Sequence, residues 1–111
     1  MGETTPIQVA SPDQIRRRLD NGEDLLLIDV REPHEIAIAA LAGALVCPLS
    51  RAEEWMDRVP TDRPLVIFCH HGIRSMHAAI ALAERGVRDL TNMAGGIDLW
   101  SVEVDPDVPR Y

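Results

Sequence analysis

Leu65-Val66-Ile67-Phe68, running directly into Cys69-His70-His71-Gly72-Ile73-Arg74-Ser75, is the stretch that decides how the rest of the chain is read. Its first four residues are apolar and β-prone with no polar alternation, the pattern of a short strand buried on both faces. From about Ser75 to Arg85, Met76, Ala79, Ile80 and Ala83 recur at helical spacing, and Gly86 supplies a stop. A buried strand therefore enters a helix through a short loop that Gly72 allows to curl. In open α/β sheets ligands bind beyond the carboxyl ends of the strands, so this loop is the first place to look for chemistry.

The same alternation continues on both sides. Upstream, Leu25 to Val30 is another continuous apolar run, Pro33 can open a helix expected to reach about Ala40, and Ala44 to Leu49 reads as a further strand. Ser50-Arg51-Ala52-Glu53 has the spacing of a capping box, with Trp55, Met56 and Val59 following at helical intervals before the break from Pro60 to Pro64. Nearer the start, Ile7 to Ala10 suits a short strand. Ser11-Pro12-Asp13-Gln14 then opens a helix carrying Ile15 and Leu19, which Asn21-Gly22 ends. Downstream come a weaker strand from Leu90 to Met93, a turn at Gly95-Gly96, a last short helix with Leu99 and Trp100, and an extended tail from Asp105 to Tyr111. Strands separated by helices imply βαβ units. The expected fold is α/β: about five strands in a mostly parallel sheet, helices on both faces, one domain over residues 1–111.

Composition narrows the function. The 111 residues hold 18 acidic against 11 basic side chains, a net charge of −7, which argues against a nucleic-acid binder that must release counterions with clustered cations. Arg16, Arg17 and Arg18 form the one basic run, and it falls on the solvated face of a helix. No apolar run approaches the roughly 20 residues of a membrane helix, and Met1 to Val9 has no secretory pattern. With only Cys47 and Cys69 there is no disulfide framework, so a reducing cytoplasm, where a free thiol survives, is the expected location.

A loop between a buried strand and a helix points successive N–H groups inward, and the helix dipole adds positive potential at the same end. Arg74 adds a permanent cation. Cys69, at the start of this loop, is therefore expected to have a lowered pKa and to act as a nucleophile. Taken by itself the same cysteine could be a small apolar filler at a strand end; the order strand, loop, glycine, arginine, helix favours chemistry.

Cys69-His70-His71-Gly72-Ile73-Arg74-Ser75 resembles the active-site loop of rhodanese-like domains: cysteine, two variable residues, glycine, one variable residue, arginine and serine. Asp29-Val30-Arg31-Glu32, Gly43-Ala44 with Pro48-Leu49, and Gly95-Gly96 with Trp100 resemble three further motifs of that family in the same order. The chain departs from it at Ala39-Ala40-Leu41-Ala42, where members usually have Gly-His-Ile-Pro. The resemblance implies a thiosulfate or persulfide sulfurtransferase. Cys69 would take sulfane sulfur from a small donor, hold it as a persulfide among the N–H groups of residues 70 to 74, and pass it to cyanide, a thiol or a protein, with no metal or organic cofactor. A dedicated sulfur carrier for a partner protein in cofactor or tRNA sulfuration, and a non-catalytic binding module, are the alternatives. Cysteine phosphatases are similar but have a longer loop; here only His70, His71, Gly72 and Ile73 separate Cys69 from Arg74, which favours sulfur over phosphate.

By the same resemblance His70, His71, Gly72, Ile73, Arg74 and Ser75 form the substrate-binding loop. Arg31 either lines the pocket or makes a structural ion pair. His70 and His71 are adjacent, a spacing that suits loop residues better than zinc ligands. Cys47, inside an expected strand, is either core or a resolving thiol.

Overall fold

The computed structural model describes residues 6–111, so the stretch 1–5 at the start of the segment searched for a secretory pattern lies outside the described residues. Strands and helices alternate along the chain. They are β1 (Ile7–Ala10), α1 (Pro12–Asp20), β2 (Leu26–Asp29), α2 (Pro33–Ile36), β3 (Leu45–Val46), α3 (Ala52–Trp55), β4 (Leu65–Phe68), α4 (Ile73–Glu84), β5 (Leu90–Met93) and α5 (Gly96–Glu103). The five strands form one sheet in the order β1-β5-β4-β2-β3, and every pairing is parallel. No helix among the described residues is long and apolar enough to cross a membrane.

Side chains alternate across a strand, so each buried run feeds two cores. Leu26, Ile28, Leu65 and Ile67 face Ala78, Ala79, Leu82, Met56 and Val59 on one side of the sheet. Leu27, Val66 and Phe68 face Ile15, Ile97 and Trp100 on the other. Each central strand is covered on both faces, which is why β2 and β4 carry no polar alternation.

Helix α1 begins as its sequence indicates. Ser11 accepts from the Gln14 amide, the Gln14 side chain accepts from the Ser11 amide, and Pro12 occupies the first turn. Other boundaries differ from expectation for reasons of tertiary contact. Helix α2 ends at Ile36 rather than near Ala40, and the turn that follows lays the carbonyls of Glu35 (3.4 Å) and Ala39 (2.7 Å) on the buried Arg31 guanidinium. Ser50 is not a helix cap. Its hydroxyl and amide both donate to the Glu32 carboxylate, and α3 shrinks to one turn after a 3-10 turn over Leu49–Arg51.

Strand β3 pairs over two residues only, leaving Cys47 and Pro48 beyond it. Helix α4 starts two residues earlier than expected, at Ile73, and buries Ser75, Ala78, Ala79, Leu82 and Ala83, while Ile80 is exposed. The tail is not simply extended. It turns at Asp105, whose carboxylate accepts from the Asp107 amide, and brings Tyr111 back against His70.

Candidate active site

The loop joining β4 to α4 owes its shape to where its carbonyls go. The first amides of a helix have no partner within it. Those of Ile97 and Asp98 in α5 donate to the carbonyls of Cys69 (2.9 Å) and His70 (3.1 Å). The Asn92 side-chain amide, from β5, donates to the carbonyl of Gly72 at 3.0 Å. With its oxygens drawn outward, the loop turns its N–H groups inward onto sulfur. The amides of Gly72 and Ser75 point at Cys69 Sγ from 3.1 and 3.4 Å, and the Ser75 hydroxyl lies 3.3 Å away.

Two glycines make this approach possible. Gly72 adopts φ +101 as it enters α4, and a Cβ there would press on Gly95 N and Met93 O at 3.3 Å. A Cβ on Gly96 would run into the carbonyls of Cys69 and His70.

Cys69 is buried, and burial alone would push its thiol pKa up. The hydrogen bonds from the Ser75 hydroxyl and amide and from the amides of Gly72 and His71 outweigh that penalty, so the pKa lies below its ordinary value. Cys47 has no such donors. Burial, with the nearby Asp29 charge, raises it to about 11. Both cysteines are free thiols.

Arg74 does not point its guanidinium at the sulfur. Its two terminal nitrogens grip both oxygens of Glu35 at 2.7 Å, which holds that carboxyl down at about 2 chiefly through this fork. The Arg74 charge still acts on Cys69, but through space.

A cavity of about 250 Å³ opens beside the sulfur, lined by Cys69, His70, His71, Ile73 and Arg74. Ile73 is 70% exposed at its edge. Of the remaining sequence candidates, Gly72 and Ser75 act on the sulfur itself rather than on the mouth. Arg31 lies outside the cavity. It is wholly buried, paired with Asp29 at 2.8 Å, bonded to Tyr111 Oη at 2.9 Å, and so is the structural ion pair rather than a lining residue.

His70 is stacked between His71 and Tyr111, with ring centroids 3.8 Å apart in each pair. Burial beside His71 lowers its pKa and favours the neutral ring. His70, His71 and Asp98 lie close enough together to suggest a cation site. Arg110, however, already occupies both Asp98 oxygens, and His71 Nε2 stays 3.8 Å from that carboxylate.

Residues not singled out by sequence complete the site. Asn92 bridges Ser75 and the loop, Glu35 anchors Arg74, and Tyr111 closes over His70. Asn92 left one signal, a carboxamide in a strand that is buried throughout.

Comparison with known proteins gives the same architecture and a family. The Rhodanese-like domain family profile matches residues 11–103. The chain is 37% identical over 89 residues to a protein described as a sulfurtransferase from Allochromatium vinosum, covering 80% of this chain and 83% of that one. It is also 37% identical over 103 residues to the probable adenylyltransferase/sulfurtransferase MoeZ of Mycobacterium tuberculosis, covering 91% of this chain but 26% of that protein. Among solved structures, the single-domain sulfurtransferase RDL2 of Saccharomyces cerevisiae superposes with a TM-score of 0.79 at 23% identity, over 96% of this chain and 98% of that one, a likeness of fold.

Proposed function

This chain belongs to the rhodanese-like domain family of sulfurtransferases, and from that premise we propose that it transfers sulfane sulfur through a persulfide on Cys69. The observation that carries this is the sulfur's setting: a buried thiol with two backbone amides directed at it and a hydroxyl within hydrogen-bond reach, beside an open cavity. N–H groups fixed in advance stabilise an anion at no reorganisation cost, whether it is a thiolate or a persulfide.

In the first step the Cys69 thiolate attacks the outer sulfur of thiosulfate or of a low-molecular-weight persulfide. The Sγ–S bond forms as the donor's S–S bond breaks, and sulfite or a thiolate departs with the electron pair. In the second step a thiol, cyanide or a protein nucleophile attacks that outer sulfur and Cys69 leaves as thiolate. Atoms and electrons balance with these groups alone.

A dedicated carrier passing the sulfur to one partner protein is the second version of this function. What favours it is the rim: Arg74 is committed to Glu35 rather than free to hold a small anion, and the most exposed cavity residue is the apolar Ile73.

Intact-protein mass spectrometry after incubation with thiosulfate or a small persulfide tests the proposal. One added sulfur, lost on treatment with cyanide or thiol and absent in Cys69→Ser, is the expected result. An unchanged mass with every donor, or loading that survives Cys69→Ser, overturns it. Fast loading with slow release to cyanide distinguishes the carrier from the small-molecule enzyme.

A further inference from the structure

Four groups around the sulfur close into a ring of hydrogen bonds. Gly72 N–H donates to Cys69 Sγ (3.1 Å), Cys69 Sγ lies 3.3 Å from Ser75 Oγ, Ser75 Oγ donates to Asn92 Oδ1 (2.6 Å), and Asn92 Nδ2 donates to Gly72 O (3.0 Å). Ser75 and Asn92 are both buried, Ser75 wholly so, and bulk water does not replace these contacts.

The Asn92 amide can be oriented only one way. Turned over, its oxygen would meet the Gly72 carbonyl, acceptor against acceptor. Its Oδ1 therefore always faces Ser75 and always seeks a proton from it.

A serine hydroxyl has one proton. While Ser75 gives it to Asn92, the hydroxyl can only accept from Cys69, which requires the sulfur to be protonated. A thiolate carries no proton to donate. It needs the Ser75 proton for itself, and Asn92 Oδ1 then loses its donor. We infer that Asn92 is a positioning residue that competes with Cys69 for the Ser75 proton, holding the nucleophile in its thiol form until the Ser75 hydroxyl turns toward sulfur. On ionisation the thiol proton goes to solvent through the cavity, the Ser75 O–H rotates from Asn92 to Sγ, and no covalent bond other than S–H changes.

The same rotation serves the persulfide, whose inner sulfur also has no proton and can only accept. In this respect the inference rests on the sulfur-transfer function proposed above, although the competition itself is a property of the free thiol. The charged and titratable groups lining the cavity beside Cys69 are His70, His71 and Arg74, with Asp98 of α5 and Tyr111 of the tail against the two imidazoles. Arg74 is fixed by Glu35, and Arg31, just beyond β2, is fixed by Asp29, so neither pair changes charge when Asn92 is altered.

The test is a double-mutant cycle read by the pH dependence of Cys69 alkylation with iodoacetamide, in the Cys47→Ser background so that one thiol reports. Ser75→Ala removes the hydroxyl and moves the alkylation midpoint to higher pH. Asn92→Ala frees the Ser75 proton for sulfur and moves the midpoint lower by about one pH unit, about tenfold in thiolate at a fixed pH below it. In the Ser75→Ala background the same Asn92→Ala change leaves that downward shift absent.

Equal shifts in the two backgrounds overturn the inference, because a residue that only supports the loop acts whether or not Ser75 has a hydroxyl. Should Asn92→Ala not fold, the near-isosteric Asn92→Asp strengthens the acceptor toward Ser75; it also sets an oxygen against Gly72 O, a loss common to both backgrounds that the cycle cancels. Its upward shift is then larger with Ser75 than without, and equal shifts again overturn the inference. Alkylation involves no sulfur donor. A missing coupling therefore removes the role of Asn92 alone, while failure of Cys69 to gain sulfur mass removes the proposed transfer and leaves the coupling standing.

Discussion

Cys47 and Cys69 share one apolar cluster, yet their chemistry is set by what donates to each sulfur. Cys69 has amides and a hydroxyl; Cys47 has burial and the Asp29 charge, and is held up at about 11. Iodoacetamide at about pH 8 is therefore expected to add once per folded chain, at Cys69, and tandem mass spectrometry locates the adduct; modification of Cys47 at a comparable rate would contradict this. Glu35 offers a second residue-scale outcome. Its carboxyl is drawn from 4.5 to about 2 by the Arg74 fork, so the unfolded chain binds that proton more readily than the folded one. The fork's contribution is complete above about 4.5 and drains away as pH falls through about 2. Glu35→Gln should lose about 1–2 kcal/mol at pH 7, less than a fully buried pair because Arg74 is 37% exposed, and its deficit against wild type should shrink below about pH 4.5 in urea titrations.

At the scale of elements, the N-terminus of α5 shapes the loop. Gly86 and Gly96 separate backbone strain from steric space, since both have positive φ but only Gly96 faces atoms a methyl would meet. Gly86→Ala should cost about 1–2 kcal/mol of left-handed strain and leave Cys69 alkylation unchanged. Gly96→Ala should cost more, about 3 kcal/mol, and slow alkylation as the loop carbonyls are pushed off their α5 donors; thermal melts and alkylation rates check both. Elements whose ends depend on neighbouring residues were legible in the sequence. The start of α1 is one, because Ser11, Pro12 and Gln14 carry the whole signal. The loss of Ser50 as a cap was not, because Glu32 reaches it from 18 residues away, and nothing in the local pattern shows that the turn after α2 wraps the buried Arg31. Cys69 and its loop could be read for the same local reason; Asn92, which meets the loop only through sheet pairing, could not.

Over the whole molecule the sheet sets a gradient of stability. β4 lies between two parallel neighbours and under both cores, whereas β3 is a two-residue edge with Leu45 and Val46 exposed. Hydrogen exchange should be slowest for the amides of Val66, Ile67 and Phe68, protected up to global unfolding, and orders of magnitude faster at Val46; equal protection would contradict the layered core. The strand order was beyond local reading, since β1 pairs with β5 some eighty residues later in the chain. That separation also puts a clock on the chemistry. Cys69 leaves the ribosome before Asn92 and before the α5 amides that turn its loop inward, so for part of its synthesis the thiol is an ordinary one. The donors that poise Cys69 for the proposed transfer are complete only once β5 and α5 have been made, and a chain cut short of them carries the thiol without that setting.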